Sequence, residues 1–162
     1  MEAPTGTIDQ YIGRTVDHAM YYGMRPERDT QLTQALVLDN EQGALVTGIQ
    51  KLVQRFALEL FTELGSLTYL PQRGTTFMIE ARAGYWRHTA DVESSFYAAL
   101  FDVKRNLITE EQETDPDDER FLDATLISVT LVGDYVTMRV KLDSRAERSR
   151  EIIFPIKINS IG

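Results

Sequence analysis

The chain has 162 residues, of which 17 are Lys or Arg and 25 are Asp or Glu, and its formal net charge is −8. That length favours a single domain, and a hydrophobic fraction of 43% is typical of an ordinary soluble globular protein. The acidic balance disfavours nucleic-acid partners, and no apolar run is long enough to cross a membrane. The sequence has no cysteine, which excludes disulfides and cysteine-based zinc sites, and it predicts neither a metal nor a cofactor.

Residues 1–30 show no sustained hydrophobic period and are interrupted by glycine and proline. Such a segment cannot build a core alone, so we expect an extended amino-terminal arm that is ordered within an assembly. Its first residues include Glu2 and Asp9 without a basic or apolar stretch, which argues against a secretory signal and favours folding in a cytosol. A single α+β domain is predicted over residues 31–162.

The first long helix is predicted over residues 44–64, after a short strand over 31–38 and a tight turn. Its apolar residues recur at steps of three and four: Leu45, Ile49, Leu52, Val53, Phe56, Leu60 and Leu64. Gly65 is expected to end this helix. Three charged residues, one turn apart, are expected on the face away from the core: Lys51, Arg55 and Glu59.

A second long helix is predicted over residues 90–109, with Thr89 as its N-cap. A loop over 65–74 with room for one strand, and a short helix over 75–83, are expected before it. The core stripe of the long helix is Val92, Phe96, Leu100, Val103 and Leu107. A flanking stripe, formed by Tyr97, Phe101 and Ile108, faces either a second neighbour in the core or a partner chain.

An acidic segment separates these helices from the strands. Residues 110–119 contain seven acids and no base, which predicts a solvated linker; a calcium loop is disfavoured because the glycine and glutamate of an EF-hand are missing. After it the hydrophobic period changes to two, and strands are predicted over 127–131, 136–142 and 152–158, with a hairpin turn at 133–134. The first strand is expected to face the core with Ile127, Val129 and Leu131.

These elements predict an α+β fold in which two long helices pack on one face of a small antiparallel carboxy-terminal β-meander, with an extended amino-terminal arm. Pro155 cannot donate to a strand ladder, so the third strand is expected at an edge of the sheet. An edge strand presents unpaired N–H and C=O groups. The fold either has to protect these groups or offers them to a strand of another chain.

No catalytic motif stands out in the sequence. It contains no nucleophile elbow, no Walker loop, no His-Glu-x-x-His and no dinucleotide-binding glycine pattern. Glu59 and Glu63 lie one turn apart and could act on a glycosidic bond as acid and base, but carboxylates at this spacing occur on most exposed helices. His88 is expected to be structural or interfacial. We therefore predict no catalytic residue and no enzyme activity.

The loop ELGSLTYLPQRGTTFM and the order of the elements around it carry a family resemblance. Over residues 31–158 the chain resembles the small baseplate wedge family of contractile-tailed bacteriophages, the sheath initiators, which is related to a wedge component of type VI secretion baseplates. The loop is similar to the family's pattern at Leu64, Gly65, Ser66, Tyr69, Pro71 and Gly74. Glu119 and Arg120 match the family's Glu-Arg signature before the first sheet strand, in the form that lacks a proline.

The resemblance implies a non-enzymatic virion protein of the tail baseplate, assembled in the host cytoplasm, with about six copies around the tail tube. Its implied partners are other baseplate wedge proteins and tail sheath subunits, with tail tube or hub proteins as further candidates, and neither nucleic acid nor membrane. Docking to the wedge core is expected at Glu119, Arg120, Tyr97 and Phe101. Pairing with a sheath strand is expected at Ile152, Ile153, Phe154, Ile156 and Ile158.

Two other functions stay open on the sequence alone. The lysozyme-like label often given to this family would predict a baseplate enzyme that cleaves peptidoglycan with two carboxylates. A small cytosolic adaptor on the same fold would instead bind a single host protein one to one.

Overall fold

The computed structural model describes residues 17–18, 20–22, 36–38 and 45–158. Four short strands in its amino-terminal part form two antiparallel pairs, β1 (Asp17–His18) with β4 (Leu45–Val46) and β2 (Met20–Tyr22) with β3 (Leu36–Leu38). Most of the predicted amino-terminal arm, the start of the predicted first strand and the turn after it lie outside the described residues.

Three helices follow: α1 (Gly48–Phe61), α2 (Phe77–Arg82) and α3 (Thr89–Glu110). The prediction that Gly65 ends the first helix is wrong, because α1 stops at Phe61. The chain then becomes extended to bond with Thr75, which donates its N–H to the carbonyl of Thr62 at 2.8 Å and accepts the N–H of Leu64 at 2.9 Å. This bridge replaces the strand that the sequence allowed within the loop over 65–74.

The start of α3 differs from its prediction by one residue. His88, with an extended backbone, is the N-cap, whereas Thr89 was expected to be. The carboxylate of Asp91 accepts the N–H of His88 at 2.8 Å and that of Arg87 at 2.9 Å. These two hydrogen bonds lower the pKa of Asp91 and satisfy the backbone donors of the N-cap and of the residue before it.

The predicted carboxy-terminal meander is confirmed. Strands β5 (Phe121–Val132), β6 (Tyr135–Ser144) and β7 (Ser149–Lys157) form one antiparallel sheet in the order β5-β6-β7. A register shift between Leu126 and Ser128 marks a β-bulge, which leaves Ile127 45% exposed. Ile127 was expected in the core; it is not, because the extra residue moves the alternation by one position and brings Leu126 opposite Val140 instead.

The hydrophobic core lies between the helices and one face of the sheet. Every residue of the predicted α3 stripe is buried: Val92, Phe96, Leu100, Val103 and Leu107. The sheet contributes the core-facing residues of β6 together with Phe121, Phe154 and Ile156. Phe121 stacks on Phe56 of α1 with ring centroids 6.0 Å apart, and Phe61 packs edge-on against Phe154 at 5.1 Å. The α+β architecture expected from the sequence is therefore present, with α2 as a third helix.

The charged face of α1 does not point to solvent as predicted. Glu59 is 4% exposed, Lys51 binds the carboxylate of Glu119 at 3.0 Å, and Arg55 donates to the carbonyl of Glu119 at 3.1 Å. Within the acidic segment over 110–119, Gln112, Glu113, Thr114 and Asp117 are exposed, as expected of a solvated linker, whereas Glu119 at its end is buried beside this helix. Burial of these charges is possible because each one is paired or hydrogen-bonded.

Candidate functional site

The outer edge of β7 can be identified from its hydrogen bonds to β6. Ser144 donates its N–H to the carbonyl of Arg148 at 2.8 Å, and Ile158 donates to the carbonyl of Asp134 at 2.7 Å; the register between these two points is continuous. In an antiparallel pair, residues that bond to the neighbouring strand alternate with residues whose N–H and C=O point away. The even-numbered residues of β7 therefore bond to β6, and the odd-numbered residues face the outer edge.

This alternation separates the residues that were predicted to pair with a sheath strand. Ile152, Phe154, Ile156 and Ile158 direct their backbone groups towards β6. Ile153 directs its N–H and C=O outwards, and its side chain is exposed on the open face of the sheet. Pro155 shares the outer edge and has no N–H, so β7 is an edge strand within the described part of the chain, as predicted.

The outer edge of β5 is divided into two halves by the bulge at Ile127. In the first half, the outward N–H of Ala124 is bound by the carboxylate of Asp123 at 2.9 Å, and that of Leu126 by the hydroxyl of Tyr97 at 3.4 Å. The outward residues of the second half are Val129 and Leu131, which pair with Met138 and Val136 at positions that do not bond to β6. Among residues 45–158 no group binds their outward N–H groups.

Glu119 and Arg120 have internal partners in this structure. Glu119 is 2% exposed, and its carboxylate accepts the N–H of Gly48 at 2.9 Å and the ammonium of Lys51 at 3.0 Å. Arg120 accepts the N–H of Arg145 at its carbonyl, while its Nε is buried without a hydrogen-bond partner among the described residues. Glu119 thus holds the start of α1 against the chain entering β5, and its role in docking to the wedge core stays a prediction.

We expect Glu119→Gln to lower the free energy of unfolding by about 1–2 kcal/mol, because the charge-assisted bond to Lys51 is lost while an acceptor for Gly48 is kept. Urea titration followed by circular dichroism measures this loss. Lys51→Met is the matched control, since it removes the same ion pair from the other side. A Glu119→Gln protein as stable as the unmodified chain would show that the ion pair contributes nothing.

The flanking stripe of α3 lies on the surface. Phe101 is 72% exposed, and Tyr97 and Ile108 are also exposed, whereas the core stripe of the same helix is buried. Tyr97 keeps contact with the fold through its hydroxyl at Leu126 and through an edge-on contact with Phe96 at 5.4 Å. Of the two alternatives for this stripe, a surface position is what the described residues show. A large exposed aromatic side chain of this kind is typical of protein interfaces.

The loop with the family resemblance is fixed at its end and exposed at its middle. Tyr69 is 94% exposed, and Gly65 and Pro71 are also exposed. Gly74 is buried, has φ of +89°, and donates its N–H to the carboxylate of Glu59 at 2.9 Å. Arg73 binds Glu59 and Glu110 with its guanidinium, so two helices hold the loop.

Glu59 carries most of this anchoring. Burial of the carboxyl opposes its ionisation, but hydrogen bonds from Arg73, from the N–H of Gly74 and from the amide of Asn106 outweigh burial and lower the pKa of Glu59 below its ordinary value of 4.5. Hydrogen bonds to the carboxylates of Glu110 and Glu59 raise the pKa of Arg73 above its ordinary value. Glu59 is therefore a charged group with its acceptor positions filled, which is the environment of a structural anion.

The carboxylates considered for catalysis do not face each other across a shared cleft. Glu59 is engaged as described, and Glu63 pairs with Arg82 at the surface. A surface cleft of about 280 Å³ lies beside Glu59 and is lined by four leucines, by Thr62 and by the charged side chains of Arg55, Glu59, Arg73 and Glu110. Within the part of the chain that the structure describes, no group of three or more acidic or histidine side chains could hold a metal, and no helix is long and apolar enough to span a membrane.

Comparison of the chain with family models, with curated proteins and with solved structures found no match.

Proposed function

We propose that this chain is a structural component of a contractile phage tail baseplate wedge, and that it nucleates tail sheath assembly by offering a sheet edge to an arm of a sheath subunit. The observation that supports this proposal most is the three-stranded sheet, whose two outer strands have no neighbouring strand among the described residues. Its other support is the resemblance in the loop over 65–74 and at Glu119 and Arg120.

Strand addition suits this function for a physical reason. Main-chain hydrogen bonds provide affinity without requiring a particular partner sequence, and alternate side chains provide specificity. The helices pack against one face of the sheet through a buried core that includes several aromatic side chains. The strand edge is therefore held in place before a partner binds. Because the edge is already ordered, only the arm becomes ordered on binding. The loss of conformational entropy on association is therefore limited to the arm.

The wedge itself would be contacted through other surfaces of the chain. The apolar side chains of Tyr97 and Phe101 are exposed one turn apart on the same side of α3. Arg120 lies at the entry to β5 and is partly exposed. Glu119 would act there as a positioning residue, since its carboxylate is already bound. Other wedge proteins are the proposed partners of this stripe, with tube or hub proteins as further candidates.

The function is tested by assembling the purified full chain with wedge proteins and sheath subunits of its own tail, and by imaging the product by electron microscopy. We expect a ring of about six copies around the tail axis, with the first sheath ring on top of it. A one-to-one complex with a single protein would contradict the proposal and favour an adaptor. Clearing of a cell-wall suspension by the chain, abolished in Glu63→Gln, would contradict it in favour of an enzyme.

We expect Phe101→Ser to abolish incorporation of the chain into the wedge while changing the free energy of unfolding by no more than about 0.5 kcal/mol, because an exposed side chain is replaced. Tyr85 is the matched control, since it is a comparably exposed aromatic residue, 67% against 72% for Phe101, outside this stripe. Co-purification of the wedge on the tagged chain measures the effect. Equal loss in Tyr85→Ser and Phe101→Ser would show that the stripe has no special role.

A further inference from the structure

The two outer edges of the sheet differ in their chemistry. The outward-facing positions of β7 are Ser149, Glu151, Ile153, Pro155 and Lys157. Two of these positions are charged, and a proline interrupts the row of N–H groups between Ile153 and Lys157. Charged residues and proline are the devices by which natural edge strands discourage pairing with another strand. The edge of β7 therefore carries protection against strand addition.

The second half of β5, residues 127–132, has none of these devices. Its sequence ISVTLV contains no charge, no proline and no glycine, and it is composed mainly of β-branched and apolar residues. The exposed side chains of Ile127 and Val132 add apolar surface at both ends. A segment of this composition, on an edge that no described residue covers, is an association hazard unless another segment covers it.

The first half of the same strand is closed to an incoming strand. The hydroxyl of Tyr97 and the carboxylate of Asp123 occupy its outward N–H groups, and α3 runs back alongside it, since Glu111 at the end of this helix binds the N–H of Phe121 at 2.6 Å. The bulge at Ile127 lies at the boundary between the closed and the open half. Bulges re-aim strands at such sites and stop a ladder from continuing.

We infer that residues 127–132 of β5 form the edge that receives the partner strand, in preference to β7, and that the occupant is an extended terminal arm of a tail sheath subunit. The inference rests on the proposed function and names the site at which it is carried out. The outward N–H and C=O groups of Val129 and Leu131 bind the main chain of the arm. Pairing stops at the bulge, so the arm adds a short strand only.

The side chains around this edge define the arm that fits it. Val129 lies opposite Met138 and Leu131 lies opposite Val136, and both partners on β6 are fully buried. An apolar side chain of the arm beside Val129 or Leu131 therefore lies next to these core-facing side chains and adds to the hydrophobic core. On the other face its neighbours are Ser128, Thr130 and the exposed Val132, so the arm carries small uncharged residues there, alternating with apolar residues on the core side.

The length of the open edge favours an arm over a second copy of this chain. About two outward-facing residues give a seam far smaller than the roughly 1,200 Å² that a specific interface between two folded proteins buries. A flexible arm needs no larger seam, because neighbouring copies in a ring bind neighbouring arms and raise the effective concentration of each one. An edge of this length therefore suits binding by several arms at neighbouring copies of the chain better than binding by one isolated arm.

The inference is tested with Val129→Pro, which removes one outward N–H and no ladder bond to β6. The matched control is Ile153→Pro, which makes the same change on β7. Binding of the purified tail sheath subunit to immobilised full chain is measured for each protein. We expect Val129→Pro to weaken binding by about tenfold or more and Ile153→Pro to stay within about twofold of the unmodified chain. Thr130→Lys, which adds a charge to the same edge at an exposed side chain, serves as the second variant in case Val129→Pro fails to fold.

The remaining outcomes separate this inference from the proposed function. Unchanged binding by Val129→Pro and Thr130→Lys, or a loss confined to Ile153→Pro, overturns the assignment to β5 and leaves the sheath function standing. An unmodified chain that dimerises, and that Val129→Pro makes monomeric, overturns the choice of occupant. A complete failure of the unmodified chain to bind the sheath subunit overturns the proposed function, and the occupant named here with it.

Discussion

Gly74→Ala is expected to destabilise the protein by about 3–5 kcal/mol, through backbone strain and a steric clash at the same position. The φ of +89° lies in the left-handed region that residues with a Cβ disfavour. A Cβ added there would press on the carbonyl oxygen of Thr62 and lie 2.8 Å from its carbonyl carbon. Thr62 cannot withdraw without breaking its hydrogen bond to Thr75. Thermal unfolding should show a midpoint lower by about 10 °C.

Gly65→Ala is the matched control for this substitution. Gly65 has φ of +82° in the same loop, but an added Cβ would meet no atom within 4 Å. It therefore keeps the strain and lacks the clash, and we expect a loss of about 1 kcal/mol. If both substitutions cost the same, the close approach of Gly74 to Thr62 does not contribute to stability.

The helical stripe of α3 and the three-stranded meander could be predicted because each depends on a local period. Phe96 and Leu100, for example, recur at the helical spacing and are both buried. Pro155 indicated an edge strand from its chemistry alone, since it lacks an N–H. The fold class therefore followed from patterns that are contained within single elements of the sequence.

The bulge at Ile127 left no comparable signal. Alternating residues continue across it in the sequence, so nothing indicates that one residue is inserted relative to β6. The direction of each backbone N–H depends on that register, and hence on two strands at once. For this reason strand pairing was predicted on β7 without separating Ile153 from Ile152, and β7 could not be compared with β5 from the sequence.

The buried acids were missed for a different physical reason. Glu59 and Glu119 were expected to be solvated, because an isolated buried carboxylate is costly. Their partners are distant in the chain: Asn106 binds Glu59 across 47 positions, and Gly48 binds Glu119 across 71. Tertiary structure brings these donors together, and the sequence contains no local pattern that announces them. The one available signal was the Arg73–Gly74 pair at the end of the loop, which supplies both a cation and an unobstructed N–H.

Glu59→Gln is expected to lower the free energy of unfolding at neutral pH by about 2–4 kcal/mol, because it removes the charge that Arg73, Gly74 and Asn106 bind together. Arg73 keeps Glu110 as a partner, which limits the loss. Glu63→Gln is the matched control, since its ion pair with Arg82 lies at the surface and is partly exposed. That substitution should change stability by no more than about 0.5 kcal/mol.

The pH dependence of the same variant identifies the charge as the cause. The pKa of Glu59 is lower in the folded protein than the ordinary 4.5, so the folded state binds fewer protons than the unfolded state. Its contribution to stability is then fully present above pH 4.5 and is lost as the pH falls through the folded pKa. Urea titrations at several acidic pH values should show a shallower loss for Glu59→Gln than for the unmodified chain. Parallel curves for the two proteins would show that the carboxylate of Glu59 stabilises the fold by its shape alone.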